Sequence, residues 1–245
     1  MKERNWTQAL GEFTVIFVSI VLALLADDWR ENRSEQEDGL DALELILADL
    51  ESEASGFGRF RERLGQQAQA AANLLRLIEE GGSAEAIAGG HRGVVLYYNF
   101  EVGAAAYRGL AGSGGLRLIG NDAVVAALAS YYDGSIAYMD GLRLGMERDA
   151  DAVAVAGQRH FLRIPTYDDD GLLKLNGWAF QLESTSTELQ TDRAFLAAVG
   201  AAGSSASWLA LRIDDVYLKR SAETRQVVGH YLEQMGRAQA PATQP

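Results

Sequence analysis

The sequence of 245 residues contains no cysteine, which excludes disulfide cross-links, thiolate nucleophiles and cysteine-ligated metals and leaves the redox compartment open. Histidine is scarce: His91, His160 and His230 stand alone, with no His-x-x-x-His or His-Glu pair to offer a zinc face. Of three prolines, Pro165, Pro241 and Pro245, one lies ahead of the C-terminal tail, so long helices are permitted almost everywhere. All but three of the 22 basic residues are arginine, and 34 acidic residues outnumber them. The formal net charge of −12 argues against nucleic acid as a partner and against a polybasic grip on anionic lipid. Recognisable catalytic patterns are missing too. Gly109, Gly112, Gly114 and Gly115 are followed by Leu116-Arg117 where a phosphate loop needs Lys-Ser or Lys-Thr, so they read as a tight interhelical turn. Asp168-Asp169-Asp170-Gly171 lacks the alternate ligand spacing of an EF-hand and reads as a solvated turn. Gly112-Ser113-Gly114 is too short for a nucleophile elbow. The sequence therefore supplies no catalytic residue, no cofactor-binding residue, no metal ligand set and no implied cofactor.

What the chain does have is an uncharged run over residues 13–26, Phe-Thr-Val-Ile-Phe-Val-Ser-Ile-Val-Leu-Ala-Leu-Leu-Ala. That is short for a membrane span. Yet Glu12 alone interrupts a longer stretch from 9 to 26, near a helix end where a carboxylate reaches the headgroups. Eleven Leu, Ile, Phe and Val side chains in that stretch supply about −3 to −7 kcal/mol of insertion free energy, against less than roughly 2–3 kcal/mol for an off-centre glutamate. Trp6 and Trp29 bracket it at about 35 Å along a helix, close to the separation of the two membrane interfaces where tryptophan sits. The competing readings are a cleaved signal peptide and a soluble core helix. Against cleavage, Asp27-Asp28-Trp29-Arg30-Glu31-Asn32-Arg33 continues as a polar helix with no turn signal. The reading adopted is a short cytoplasmic tail over 1–8, a transmembrane helix over 9–26 in the lipid bilayer, an extracytoplasmic bundle over 27–237 and a disordered tail over 238–245. Lys and Arg are nearly balanced across the two flanks, so orientation rests on the short head, which favours N-in and a periplasmic domain at a bacterial inner membrane.

Hydrophobic residues make up 48% of the chain, enough for one domain with a real core. Beyond the anchor the periodicity is helical. Leu40, Leu43, Leu47, Leu50, Ala54, Phe57, Leu64, Ala68, Ala71, Leu75 and Ile78 recur in steps of three and four, with Arg61 as the break. Anchor and seam read as one nearly continuous helix over 6–80, stopped by Gly81-Gly82-Ser83. Its length raises self-association, as a homo-oligomer through residues 40–78. Residues 83–88 read as a short turn and 92–111 as a second helix. A third starts after the capping residues Asn121 and Asp122 and extends toward 162. Residues 163–189 read as irregular. A fourth helical region starts near Thr191 or Asp192, breaks at Gly203-Ser204-Ser205, and resumes over 206–235. Tyr97, Tyr98, Phe100, Tyr131, Tyr132 and Tyr138 form an aromatic cluster best explained by core packing. The expected fold class is all-α: one N-terminal transmembrane helix continuing into a long helix, followed by an antiparallel helical bundle.

The loop between the second and third helices reads Tyr107-Arg108-Gly109-Leu110-Ala111-Gly112-Ser113-Gly114-Gly115-Leu116-Arg117-Leu118-Ile119-Gly120-Asn121-Asp122, followed by Leu128, Tyr131 and Tyr132. With Asp27-Asp28-Trp29-Arg30-Glu31 at the end of the apolar segment, it resembles a bacterial family of single-pass membrane-anchored proteins classed as a domain of unknown function. In that family the anchor closes on an Asn-Asn-Trp-like triplet, and a Ser-Gly-x-Leu-x-Leu-Ile-x-Asn stretch leads to a Tyr-Tyr pair. The likeness covers about half the chain, implies an anchored helical domain, and carries no catalytic residues across. The C-terminal half has no counterpart in it.

Within the loop, Tyr107, Arg108, Ser113, Arg117 and Asn121 are the candidate polar site, because loops on rigid scaffolds often carry function. Trp6 and Trp29 are the candidate membrane-interface residues. The function expected is a non-enzymatic, membrane-tethered interaction or scaffold protein. The alternative is a ligand-sensing ectodomain acting through a partner, and an extracytoplasmic hydrolase comes third.

Overall fold

The computed structural model describes residues 6–95, 102–170 and 173–237. Tyr97, Tyr98 and Phe100, the Trp6 side chain, residues 1–5 and the tail from 238 lie outside the described residues. The protein is all-α apart from one β-hairpin. Helix α1 runs unbroken over Trp6–Glu79. From Leu40 onward its seam is buried: Leu43, Ile46, Leu50, Phe57, Leu64, Ala71, Leu74 and Ile78. Leu47 and Leu75 flank this stripe half-buried. A 3.6-residue helix drifts against a strict heptad, so Ile46 and Leu74 take the inner positions. Arg61, the break in the seam, pairs with Asp214 at 2.7 Å. The helix closes as expected at Gly81, whose φ is +71°. Gly82 N–H donates to the Leu77 carbonyl at 2.7 Å and Gly81 N–H to that of Ile78 at 3.3 Å, a Schellman stop.

The chain then folds up and down along α1. Helix α2, Ala84–Val95, returns antiparallel, with Gln67 Nε2 donating to the Val94 carbonyl at 2.7 Å. Helix α3, Ala105–Gly112, and a tight turn at Gly115–Ile119 follow. Helix α4, Asp122–Ala129, runs through a wide i→i+5 turn at Ser130–Ile136 into α5, Ala137–Gly157. The hairpin pairs β1, Phe161–Tyr167, with β2, Leu173–Leu182. Helix α6, Ser186–Thr191, leads to α7, Arg193–Arg212, a second wide turn at Ile213–Leu218, and α8, Lys219–Gln234. This last run lies antiparallel to α1 along the whole bundle. Gln190 Nε2 donates to the Ile78 carbonyl at 2.8 Å at one end, and Arg237 pairs with Asp41 at 2.7 Å at the other, about 55 Å of helix apart.

Two apolar clusters fill the rod. One joins α1 from Leu40 to Leu64 with α3, α4 and α8. The other joins Ala71, Leu74 and Ile78 with α2, the hairpin and the first half of α7.

Several expectations need correction. Residues 83–88 are not an isolated turn but the start of α2, and the expected helix over 92–111 is divided between α2 and α3. Gly90 and Gly93 sit inside α2 because it lies close on α1: a Cβ at Gly93 would come within 2.9 Å of the Ala70 Cβ. Helix α5 stops at Gly157, short of 162, because the chain turns there into β1. Residues 163–189 are not irregular. Both strands pair in register from Phe161↔Leu182 to Pro165↔Trp178, and Pro165 is tolerated because a two-stranded sheet is all edge. The break expected at Gly203-Ser204-Ser205 is absent, and α7 runs straight through. Gly203 permits close packing instead: a Cβ there would lie 2.7 Å from the Cβ of Ala71.

Among the described residues, Arg193–Gln234 is the helix long and apolar enough to cross a membrane by length and composition, with mean hydropathy 1.5. Its inner face, Phe195, Val199, Ala202, Ala206, Leu209 and Ile213, is packed into the bundle core.

Candidate functional site

The five loop residues singled out by sequence are placed separately. No hydrogen bond joins any two of them among the described residues. Asn121 caps α4, its Oδ1 accepting from the N–H groups of Ala123 and Val124 at 3.0 and 3.2 Å. Ser113 donates to the Leu110 carbonyl at 3.1 Å. Arg108 and Arg117 are exposed. Tyr107 points inward, donating to Asp133 Oδ2 at 2.6 Å and stacking on Tyr132 at 4.5 Å.

Tyr107 belongs to a buried polar knot that the sequence reading divided between loop and core. Normal helical geometry would turn one of two consecutive residues away from the core. The i→i+5 turn at Ser130–Ile136 buries Tyr131 and Tyr132 together. Tyr131 OH donates to Glu53 Oε2 at 2.8 Å. Glu53 is only 5% exposed, and its Oε1, like Tyr132 OH, has no partner among the described residues. Burial pushes the Glu53 carboxyl up to about 7, opposed by the Tyr131 hydrogen bond. Burial also raises the phenols, Tyr107 to about 12 and Tyr131 and Tyr132 further. The phenols therefore stay protonated as donors, and burial carries the Glu53 carboxyl up to about 7. The sequence reading set Ala54 in the seam of α1, and the structure buries Glu53 in its place.

A second polar arrangement lies at the base of the hairpin. His160 Nδ1 is 2.9 Å from Ser184 Oγ, and its Nε2 is 2.9 Å from Asp192 Oδ2. These are the residue types of a hydrolytic triad, but the connections are reversed. In such a triad the aspartate holds Nδ1 and the serine faces Nε2. Asp192 is moreover committed as the N-cap of α7. The three side chains tie the hairpin to α7.

Between α2, the end of α5 and the hairpin lies a cavity of ≈360 Å³. Its wall holds His91, which is 1% exposed. The imidazole stacks on Phe161 at 4.0 Å and meets the edge of Phe180 at 4.7 Å. Among the described residues neither ring nitrogen makes a well-aligned hydrogen bond, the Val153 carbonyl being its polar neighbour. Burial drives the imidazole down to about 4, with the Val153 carbonyl opposing, so the ring is neutral at neutral pH. Gly157 ends α5 against this ring; a Cβ there would fall 2.6 Å from Nε2. At the mouth, the Arg163 guanidinium lies 4.0 Å over the Trp178 ring. A lone histidine in an unremarkable stretch gave no sequence signal for this cavity, because its walls come from elements 60 to 90 residues away along the chain. Among the described residues, no group of three or more His, Cys, Asp or Glu side chains is placed to hold a metal ion.

The chain matches no known protein family, and no curated protein or solved structure is significantly similar to it.

Proposed function

We propose that this chain is a single-pass protein of a bacterial inner membrane whose helical bundle stands on the periplasmic side as a non-enzymatic interaction or scaffold module. The observation that carries the reading is the exposure of residues 13–25. Phe13, Ile16, Phe17, Leu22, Leu24 and Leu25 are each at least 58% exposed, on a helix that is buried along one stripe from Leu40 onward. At 100° per residue these side chains point to all sides of α1 rather than along one stripe. A helix that is apolar all round belongs inside a protein or a membrane, and no other part of the described chain covers this one. Leaving such side chains in water forgoes about 1.5–3 kcal/mol for each. Trp29, 63% exposed, lies just past the apolar run, with the Arg33 guanidinium 5.6 Å from its ring. An aromatic ring and a cation suit the headgroup level.

The seam of α1 is covered by the chain's own helices. Self-association through residues 40–78 is therefore left to the outer face, where Leu45 is 63% exposed. The test is fractionation of cells expressing the full chain, with alkaline carbonate washing of the membranes and protease treatment of spheroplasts. The protein is expected in the washed pellet, with the bundle digested from outside. Recovery of intact protein in the carbonate supernatant would overturn the anchor, and protection from external protease would overturn the orientation.

A further inference from the structure

We propose that the cavity walled by His91, Phe161 and Phe180 is a binding site for a small planar aromatic acid, its ring held among the aromatic side chains and its carboxylate at the mouth by Arg92 and Arg163. This goes beyond the anchoring described above and does not depend on it.

Size is the first argument. A cavity of ≈360 Å³ lies at the lower end of the range of small-molecule sites and far above what one water needs. His91 is the second. It is 1% exposed and lines the cavity, with the Val153 carbonyl beside its ring. A neutral imidazole offers one donor and one acceptor. Both nitrogens are covered by the protein's own atoms on the α5 side, so the cavity meets the ring through its carbon edge and face. Gly157 keeps the end of α5 close to the imidazole without touching it, since a Cβ would fall 2.6 Å from Nε2.

The walls give the shape of the guest. Phe161 lies flat on His91 with an interplanar angle of 11°, and Phe180 stands edge-on at 80°. Trp178 adds a third aromatic side chain to the lining. Flat apolar faces at these angles favour a planar ring, which aromatic side chains hold by offset stacking and edge contacts.

The rim gives its charge. Among the described lining residues, the cations Arg92 and Arg163 stand against one carboxylate, Asp151, in a chain of formal net charge −12. Neither arginine is in an ion pair among the described residues. Arg163 is held over the Trp178 ring, which fixes its planar donor fork ahead of binding. A guanidinium fork matches a carboxylate in two parallel hydrogen bonds. A cationic guest would be repelled by this rim, and a bare phosphate would gain nothing from the aromatic walls.

The experiment titrates the full chain in mild detergent with benzoate, indole-3-carboxylate and naphthalene-2-carboxylate, and with the three corresponding amides as uncharged controls. Affinity is read by isothermal titration, and the site by the imidazole resonances of ring-labelled histidine. At least one acid is expected to saturate below about 1 mM, to shift the His91 resonances, and to bind about tenfold or more tighter than its amide. Arg163→Gln, at an exposed position, is expected to abolish that preference while leaving the unliganded melting temperature unchanged. His91→Phe, which keeps an aromatic wall, is expected to leave both the binding and the fold intact. The proposal is overturned if no acid saturates at millimolar concentration, if acid and amide bind alike, or if Arg163→Gln leaves the affinity as it was. The arginine variant keeps the test decisive should the histidine variant fail to fold.

Discussion

Nε2 of His160 lies 2.9 Å from Oδ2 of Asp192, while Oδ1 of the same aspartate accepts from the N–H groups of Ala194 and Phe195 at 3.0 Å each. One carboxylate thus starts a long helix and fastens a hairpin to it. His160→Phe keeps a ring beside Phe195, now at 5.4 Å, but removes both nitrogens. It should lower unfolding free energy by about 1–3 kcal/mol, measured by denaturant titration. Combined with Asp192→Asn, the loss should fall short of the sum of the two single losses, because both act on one contact. The Phe195 N–H first, then His160, hold the Asp192 carboxyl below the ordinary range. This contribution is present above that range and fades as pH falls through it.

Glu53 and His91 should impose opposite pH dependences. The Glu53 carboxyl is raised from 4.5 to about 7, so its neutral form favours the fold and stability drops as pH rises across that window. The His91 imidazole is lowered from 6.5 to about 4, so stability drops as pH falls across that window. Each displacement corresponds to roughly 3 kcal/mol, and between pH 5 and 6.5 the two slopes nearly cancel. Glu53→Gln should leave stability rising with pH through that interval, and His91→Phe should leave it falling. Unfolding curves collected at four or five pH values would show whether the slopes separate in those directions.

Two glycines of α7 make a paired test of helix contact. A Cβ at Gly203 would come within 2.7 Å of the Ala71 Cβ, whereas a Cβ at Gly200 meets nothing within 4 Å. Gly203→Ala should cost about 1–3 kcal/mol by forcing α7 away from α1. Gly200→Ala should gain about 0.5–1 kcal/mol from helix propensity alone. Melting temperatures moving in the same direction for both variants would contradict the packing described for this pair.

Arg61 interrupts the apolar repeat yet should matter little. Its ion pair with Asp214 is 2.7 Å long, but the two side chains are 41% and 46% exposed. Arg61→Ala should change stability by less than about 1 kcal/mol, with the residual effect weakened by salt.

The sequence showed the helical repeat of α1 from Leu40 to Ile78, its stop at Gly81, the cap at Asn121 and a helix start near Thr191 or Asp192, because these depend on residues adjacent in the chain. What escaped it depends on neighbours distant in the chain. Gly203 reads as a breaker until Ala71 is placed against it. The hairpin pairs Phe161 with Leu182 on either side of Asp168-Asp169-Asp170-Gly171, whose Asp-Gly step was read as a solvated turn without the strands that flank it. The wide turns at Ser130–Ile136 and Ile213–Leu218 leave no mark in the apolar spacing, yet they bring the Tyr217 hydroxyl to the Ser135 carbonyl and Tyr131 to Glu53. The loop candidates drew attention as a cluster of polar and glycine residues. The cavity is walled by one histidine and apolar side chains that look like ordinary core until they are brought together.

Because α1 passes without interruption from the apolar run to Ile78, the bundle would stand on the proposed anchor as a mast rather than a buoy. Some 50 residues separate Leu25 from Ile78, about 75–80 Å of continuous helix. A lean of about 10° at the base would carry the far tip sideways by roughly 13 Å. Forces acting at one extremity reach the other as torque, with no flexible tether to absorb them.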